Sequence, residues 1–284
     1  MIYFYARTDN RKDLERLRRV VALAKQFEDV YLMTTDFRAA SYAKRLGIKK
    51  AVGIEDFRNI SQVAHRGSVL VFDSDEHLEN DYVHQEMIDY FRHFIRISYD
   101  PKDVRKEGEI LISPYIVGEG VVNAILVDEE YLQEAPKEID KLYFWGDADY
   151  DKELVKRAQD LESQEFELLE GLYFFAGYDE ELAPFFKAIH ECDEHIDAVK
   201  SAKLVASSEP QTLLEAAAAG AKVLYLPKKE ESEYLGLIER LGILNVGMEW
   251  SRVQEGLLQA KSVSREPFEK LGAAAAKKRL EELM

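Results

Sequence analysis

Short apolar runs rich in β-branched and aromatic residues alternate along the chain with longer segments of helical periodicity. This alternation is typical of βα units stacked into parallel sheets. In the first half, strands are predicted at residues 2–6, 30–34, 50–54, 69–73, 94–98 and 109–113. Between the first two strands, apolar residues recur at helical spacing over residues 12–27, which predicts a helix with one buried face.

The pattern breaks at residues 134–140, where Pro136 and a run of charged residues separate two apolar segments. Beyond the break, strands are predicted at residues 141–146, 166–175, 204–206, 223–226 and 243–246, and helices at residues 152–161, 180–190, 211–219 and 230–241. We therefore predict an α/β fold of two Rossmann-like domains, residues 1–136 and 137–263, whose parallel sheets face an interdomain cleft. Residues 264–284 are predicted to form a terminal helix that packs back on the first domain.

The composition is that of a folded, acidic protein. Of 284 residues, 46% are hydrophobic and 32% charged, and the formal net charge is −16, which repels a nucleic-acid backbone. No apolar run reaches the roughly 18 residues of a membrane span, and the N-terminal residues lack the features of a signal peptide. The single cysteine, Cys192, excludes an intramolecular disulfide. We expect a cytoplasmic protein that binds neither nucleic acid nor membrane; its oligomeric state stays open.

The segment 202–227, AKLVASSEPQTLLEAAAAGAKVLYLP, places an apolar strand, a polar turn and a helix before a second strand. It resembles the nucleotide-binding stretch of glycosyltransferases of the double-Rossmann (GT-B) type, above all the UDP-sugar hydrolase of pseudaminic acid biosynthesis and the related spore-coat polysaccharide proteins. The matching positions are Thr212, Glu215, Gly220 and Pro227. The resemblance implies that Glu215 binds the nucleotide ribose, that Thr212 assists it, and that the turn residues Ser207 and Ser208 lie at the substrate.

Two further stretches are similar to the same family. Residues 142–149, LYFWGDAD, resemble the turn that opens the family's second domain, with Gly146 and Asp149 as matches. Residues 7–25 resemble its first helix, with matches at Asp9, Asn10, Arg19 and residues 22–24. The resemblance implies that the second domain binds the nucleotide and that the first holds the sugar near Asp9, Asn10 and Arg19.

Departures from the family pattern fall at chemically important positions. Arg16 stands where the family has its catalytic His, and an Arg cannot accept a proton at neutral pH. Glu209 and Pro210 stand where the family has a glycine pair. Pro210 has no amide to offer to a phosphate, and Glu209 adds a negative charge where the phosphate would lie. If catalysis persists, Asp9 is the predicted base, and Arg16 and Arg19 are the predicted partners of phosphate oxygens.

The residues alone also permit structural roles for this motif. Ser208 and Gln211 have the spacing of a capping box, in which Ser208 is the N-cap of a helix. Glu215, on a helix of mainly Ala and Leu, is either a solvent-facing residue or a ribose ligand. Both interpretations stay open at this stage.

Three groups suit metal ligation by residue type. Asp73 and Asp75 follow an apolar strand as an Asp-x-Asp pair, a pattern that suits Mg²⁺ or Mn²⁺ on a diphosphate, and Asp147 and Asp149 repeat the spacing. The third group lies within six positions and consists of His190, Cys192, Asp193 and His195. Helix capping explains the first two groups and a polar loop the third, so we predict no resident metal and no cofactor.

The sequence thus predicts a nucleotide-sugar-binding protein with a ligand of the UDP type, either a hydrolase or a glycosyltransferase of surface glycan biosynthesis. A catalytically inactive relative that serves as a binding or scaffold protein is the first alternative. A metal-dependent nucleotidyl or glycosyl transferase that uses Asp73 and Asp75 is the second.

Overall fold

The computed structural model describes residues 1–76 and 81–284. The chain forms two compact units. Unit 1 comprises Met1–Asp9, Arg16–Glu129 and Pro267–Met284, and unit 2 comprises Asn10–Glu15 and Glu130–Glu266. Unit 2 therefore begins a few residues before the predicted boundary and also includes a short segment from the loop that follows the first strand.

Unit 1 is built on a seven-stranded parallel sheet of order β3-β2-β1-β4-β5-β6-β7. Its strands are β1 (Ile2–Ala6), β2 (Val30–Thr34), β3 (Ala51–Gly53), β4 (Val69–Asp73), β5 (His93–Ile97), β6 (Glu109–Ser113) and β7 (Val121–Asn123). Its helices are α1 (Glu15–Ala24), α2 (Phe37–Arg45), α3 (Ile60–Val63), α4 (Asp81–Tyr90) and, at the C-terminus, α11 (Glu266–Leu271) and α12 (Ala273–Leu283). The strand order reverses between β1 and β4, the position at which open α/β sheets bind ligands.

Unit 2 repeats this order with β10-β9-β8-β11-β12-β13, and a further strand, β14, pairs antiparallel with β12. The strands are β8 (Ile139–Phe144), β9 (Glu167–Leu169), β10 (Ile189–His190), β11 (Ala202–Ser207), β12 (Lys222–Tyr225), β13 (Leu244–Asn245) and β14 (Lys261–Ser262). The helices are α5 (Glu153–Glu162), α6 (Tyr178–Leu182), α7 (His195–Ser201), α8 (Pro210–Ala218), α9 (Leu235–Leu241) and α10 (Val253–Gln259). Here the order reverses between β8 and β11.

Burial explains why the strands could be found from the sequence. The central strands are covered on both faces, so Phe4 and Tyr5 on β1 are both fully buried although they point to opposite sides. The predicted α/β class with two Rossmann-like sheets is confirmed. In the part of the chain that the structure describes, no helix is long and apolar enough to cross a membrane.

Several predicted elements differ in detail. The predicted strand at residues 166–175 is only Glu167–Leu169, and the predicted helix at 180–190 is α6 followed by a 3₁₀ turn, Ala183–Phe185, and by β10. Pro184 lies in that turn and prevents the helix from continuing. The predicted single terminal helix is interrupted at Gly272, where a Cβ would lie 2.2 Å from the carbonyl oxygen of Phe268.

Candidate functional sites at the strand ends

In unit 1, the predicted catalytic residue Arg19 is bound to a carboxylate at the end of β4. Arg19 Nε lies 2.5 Å from Asp73 Oδ2 and Nη2 lies 2.7 Å from Oδ1, so the pair is bidentate. Both side chains are almost fully buried, and the guanidinium lies 4.3 Å from the ring centroid of Tyr99. These contacts give Arg19 a structural partner in the core of unit 1.

Arg16 and Arg7 bind the second carboxylate of the Asp-x-Asp pair. Asp75 Oδ1 accepts hydrogen bonds from Arg7 Nη1 at 2.6 Å and from Arg16 Nη1 at 3.0 Å. Burial tends to raise the pKa of Asp75, but the hydrogen bonds and charges of Arg16 and Arg7 outweigh it and hold that pKa well below its ordinary value. Guanidinium groups therefore bind both carboxylate oxygens of Asp73 and Oδ1 of Asp75, which argues against the metal-dependent transferase.

Two other predicted site residues lie on the loop after β1. Asp9 belongs to unit 1 and is half-buried, whereas Asn10 belongs to unit 2 and is exposed. Of the unit 1 residues that the sequence nominated, the structure thus brings Arg16, Arg19 and the two aspartates into one ion-pair cluster.

In unit 2, donor groups at the turn after β8 converge on the carboxylate of Asp13, and we call this group of donors the β8 nest. It consists of the backbone at Gly146, Asp147 and Ala148 together with the Lys228 ammonium group. Gly146 has φ +130°, and the amides of Asp147 and Ala148 both point at Asp13 Oδ1, at 2.9 and 3.4 Å. Successive amides that converge in this way bind anions.

Lys228, in the loop after β12, completes the β8 nest. Its Nζ donates to Asp13 Oδ2 at 2.7 Å and lies 4.9 Å from the ring centroid of Trp145. A Cβ on Gly146 would lie 2.2 Å from Asp13 Oδ1 and 2.6 Å from Lys228 Nζ. Glycine is therefore required here both by the backbone angle and by the close approach of the two charged groups.

The predicted ligand Asp149 has a structural role. Its two carboxylate oxygens accept the amides of Glu153 and Leu154, at 2.8 and 2.9 Å, at the start of α5. Tyr178 also donates its hydroxyl to Asp149 at 2.5 Å. Asp149 thus caps α5 and anchors the chain that leaves the β8 nest.

The turn from β11 into α8 differs from the predicted capping box. The N-cap is Glu209, whose carboxylate accepts the amides of Gln211 at 3.1 Å and Thr212 at 2.6 Å. Ser208 is not the cap, because its hydroxyl instead lies 2.8 Å from that of Tyr143. Ser207 accepts the amide of Glu209 at 2.9 Å. The N-terminus of α8 is therefore already neutralised by a fully buried internal carboxylate.

Thr212 and Glu215 lie in a buried polar network, so the solvent-facing interpretation of Glu215 is wrong. Thr212 Oγ1 lies 3.1 Å from His195 Nε2, and the other ring nitrogen of His195 lies 3.0 Å from the hydroxyl of Tyr131. Glu215 is 2% exposed, and its Oε2 lies 3.8 Å from His195 Nε2. This network connects α7 to α8 inside unit 2.

The remaining metal candidates do not converge. His195 points into the buried network, whereas His190 binds Glu167 at 2.8 Å. His77 and His84 are seven residues apart in the sequence and could share a helix face. His84 lies 3.6 Å from Glu109, and His77 lies outside the described residues. Over residues 1–76 and 81–284, no group of three or more His, Cys, Asp or Glu side chains is arranged to hold a metal ion.

Sequence reasoning missed Asp13 and Lys228. Neither belongs to a motif, and they reach the β8 nest from far along the chain. The only sequence signal was indirect: Lys228 directly follows Pro227, which the family resemblance had singled out.

The sequence matches no family model and no curated protein. Solved structures do share its architecture. The UDP-GlcNAc 2-epimerase of Methanocaldococcus jannaschii, in complex with UDP-GlcNAc and UDP, is 10% identical, with 99% of this chain and 98% of that one covered and a TM-score of 0.63. HepE of Anabaena, in complex with UDP, is 11% identical, with 100% and 99% covered and a TM-score of 0.57.

The glycosyltransferase SnogD of Streptomyces nogalater is 15% identical, with 99% of both chains covered and a TM-score of 0.56. At such identities the likeness concerns the fold. The chain has the double-Rossmann architecture of the GT-B type over its full length.

Proposed function

We propose that this protein binds a nucleotide sugar of the UDP type and that unit 2 holds its phosphate groups. The observation that carries the proposal is the β8 nest, in which two amides and an ammonium group converge at the carboxyl end of a central parallel strand. Ligands of open α/β sheets bind at such strand ends. Similarly folded proteins solved with UDP or UDP-GlcNAc agree with this ligand class.

Within this proposal we assign new roles to several residues that the family resemblance singled out. Gly146 keeps a place at the phosphates, because its conformation creates the nest. Thr212 and Glu215 act behind the site by fixing the start of α8 through His195. Glu215→Gln is therefore expected to lower stability and to leave UDP affinity unchanged, the reverse of what a ribose ligand would give.

If the protein turns over its ligand, the proposed catalytic base is Asp9, the half-buried carboxylate on the loop after β1. Hydrolysis of a UDP-sugar needs a base for water, and transfer needs one for the acceptor hydroxyl. Arg16 and Arg19 are bound to aspartates and cannot accept protons. Asp9→Asn should accordingly abolish any UDP-GlcNAc turnover while binding persists.

A binding or scaffold protein without catalysis is the second candidate. It is favoured by Arg16 in the position of the family's base and by the Glu209 carboxylate at the N-terminus of α8. In that case the nest still binds the nucleotide, but no product forms.

Calorimetry with UDP, CMP and GDP, with and without Mn²⁺, tests the proposal. Metal-independent binding of UDP is expected, because the nest supplies the positive charge itself. Lys228→Gln should weaken UDP binding about tenfold or more, whereas the exposed neighbour Lys229, changed to Gln, controls for net charge. The test also includes Asp13→Ala, which removes the carboxylate that occupies the nest. If neither the wild type nor Asp13→Ala binds UDP at millimolar concentration, the nucleotide assignment is wrong. Binding that strictly requires Mn²⁺ would favour the metal-dependent transferase that uses Asp73 and Asp75.

A further inference from the structure

The β8 nest is filled by a side chain of the protein itself. The Asp13 carboxylate accepts the amides of Asp147 and Ala148 through one oxygen and the ammonium group of Lys228 through the other. A phosphate group presents the same kind of oxygens and the same sign of charge, so it would use the same three donors. A carboxylate and a phosphate cannot both occupy them.

The backbone of the nest is supported independently of Asp13. Gly171 packs directly beneath the turn, since a Cβ there would lie 2.3 Å from the carbonyl oxygen of Gly146. The Tyr173 amide donates to the carbonyl of Asp147 at 2.8 Å. Asp149 fixes the downstream end by capping α5. The two backbone amides of the nest are thus held by contacts that do not involve Asp13 and would remain in place if Asp13 left.

The segment Asn10–Glu15 that carries Asp13 is short and partly exposed. Residues 10–12 are exposed and the Asp13 side chain keeps 16% of its accessible surface. Other contacts also hold the segment: the Leu14 side chain is fully buried, its amide donates to Asp147 Oδ2 at 2.9 Å, and the Arg11 guanidinium lies 4.4 Å from the Tyr150 ring centroid. Departure of the Asp13 carboxylate requires a movement of this loop segment and not of a sheet strand.

We propose that Asp13 is an exchangeable internal ligand that closes the phosphate subsite, and that a phosphate group of a nucleoside diphosphate displaces it on binding. The identity of the nucleotide rests on the proposed function; the anion subsite itself does not. The Asp13 carboxylate lowers the apparent affinity for phosphate-bearing ligands, because each must compete with a charged group already hydrogen-bonded in the site. Removal of the carboxylate therefore opens the subsite.

The test measures binding of inorganic pyrophosphate, UDP and uridine by calorimetry to the wild type and three variants. Asp13→Ala removes the competitor, and Asp13→Ala with Lys228→Gln also removes the ammonium group. Asp151→Ala is the matched control, because it removes one negative charge from an exposed position on the loop that follows β8, outside the nest. Thermal unfolding and circular dichroism establish that each variant is folded; Asp13→Asn replaces Asp13→Ala if the latter is not.

Asp13→Ala is expected to bind pyrophosphate and UDP at least about tenfold more tightly than the wild type, and Lys228→Gln to cancel that gain. Uridine affinity and the Asp151→Ala control should stay within about twofold. The inference would be overturned if Asp13→Ala bound UDP and pyrophosphate no more tightly than the wild type does. It would also be overturned if Asp151→Ala gained as much affinity for these ligands as Asp13→Ala. If pyrophosphate affinity rises but no variant binds UDP, the exchangeable subsite stands and the nucleotide proposal fails.

Discussion

Replacing Gly146 by Ala tests the geometry of the β8 nest directly. Gly146 has φ +130°, a conformation that residues with a Cβ rarely adopt. The added Cβ would also lie 2.2 Å from Asp13 Oδ1 and 2.6 Å from Lys228 Nζ. Gly146→Ala must therefore either strain the backbone or displace both charged groups, and we expect it to do both.

The magnitude follows from these two effects. A non-glycine residue in a sparsely populated backbone conformation costs about 1–3 kcal/mol. Loss of the charge-assisted hydrogen bonds of Asp13 costs a further ~1.5–3 kcal/mol. We therefore expect Gly146→Ala to lower the free energy of unfolding of unit 2 by about 2.5–6 kcal/mol. In an Asp13→Ala background the first cost alone should remain, because the hydrogen bonds of Asp13 are already absent and the remaining close atom, Lys228 Nζ, is the end of a flexible side chain that can move.

Urea unfolding followed by tryptophan fluorescence is the appropriate assay. The only two tryptophans, Trp145 and Trp250, lie in unit 2, so emission reports on this unit selectively. Gly177→Ala is a matched control: Gly177 has φ +79° but no atom within 4 Å of its Cβ position, and it should show backbone strain alone. Equal losses for Gly146→Ala and Gly177→Ala, or no coupling between Gly146 and Asp13, would refute the reasoning.

Three further predictions concern capping and the ion pairs. Glu209→Ala removes the acceptor for two α8 amides, so tryptophan-detected urea unfolding should show a loss of about 1–2 kcal/mol; no change would contradict the capping role. Arg19→Leu leaves the buried Asp73 carboxylate without its bidentate partner and should cost unit 1 about 3–5 kcal/mol by circular dichroism; a loss below about 1 kcal/mol would contradict it. The pKa of Asp75 is lower in the folded protein than its unfolded value of roughly 3.9, so its ionised carboxylate stabilises the fold above that pH. This stabilisation is lost as the pH falls through the folded pKa, and Asp75→Asn should therefore reduce the loss of stability below about pH 4.

The alternation of strands and helices could be predicted because the strands of a sheet covered on both faces are continuous apolar runs. β1, β8 and β11 were found for this reason. The strands that were missed or misassigned are short: β7 has three residues and β10 has two. A strand of that length carries no periodicity to distinguish it from a turn, and its existence depends on a neighbouring strand that offers free hydrogen-bonding groups.

Residues of the candidate site could be predicted only where the local sequence around them is informative. Gly146 followed from a family resemblance, and the structure gives its conformational reason. The partners of the nest could not be found locally, since Asp13 lies 134 residues from Asp147 and 215 residues from Lys228. Residue preference predicted Ser208 as the N-cap of α8, but its hydroxyl contacts Tyr143. The next residue, Glu209, is the N-cap instead.

Asp13 and Glu209 perform the same chemistry at the ends of neighbouring strands, β8 and β11, yet they differ in how readily they can leave. Glu209 is fully buried and directly precedes the helix it caps, so displacing it moves a buried charge and disturbs the start of α8. Asp13 is held on a short loop segment, and its side chain is partly exposed. A phosphate can therefore replace Asp13 at a much lower cost than Glu209. This difference directs the anion to the β8 nest, although a helix N-terminus is the more usual place for one.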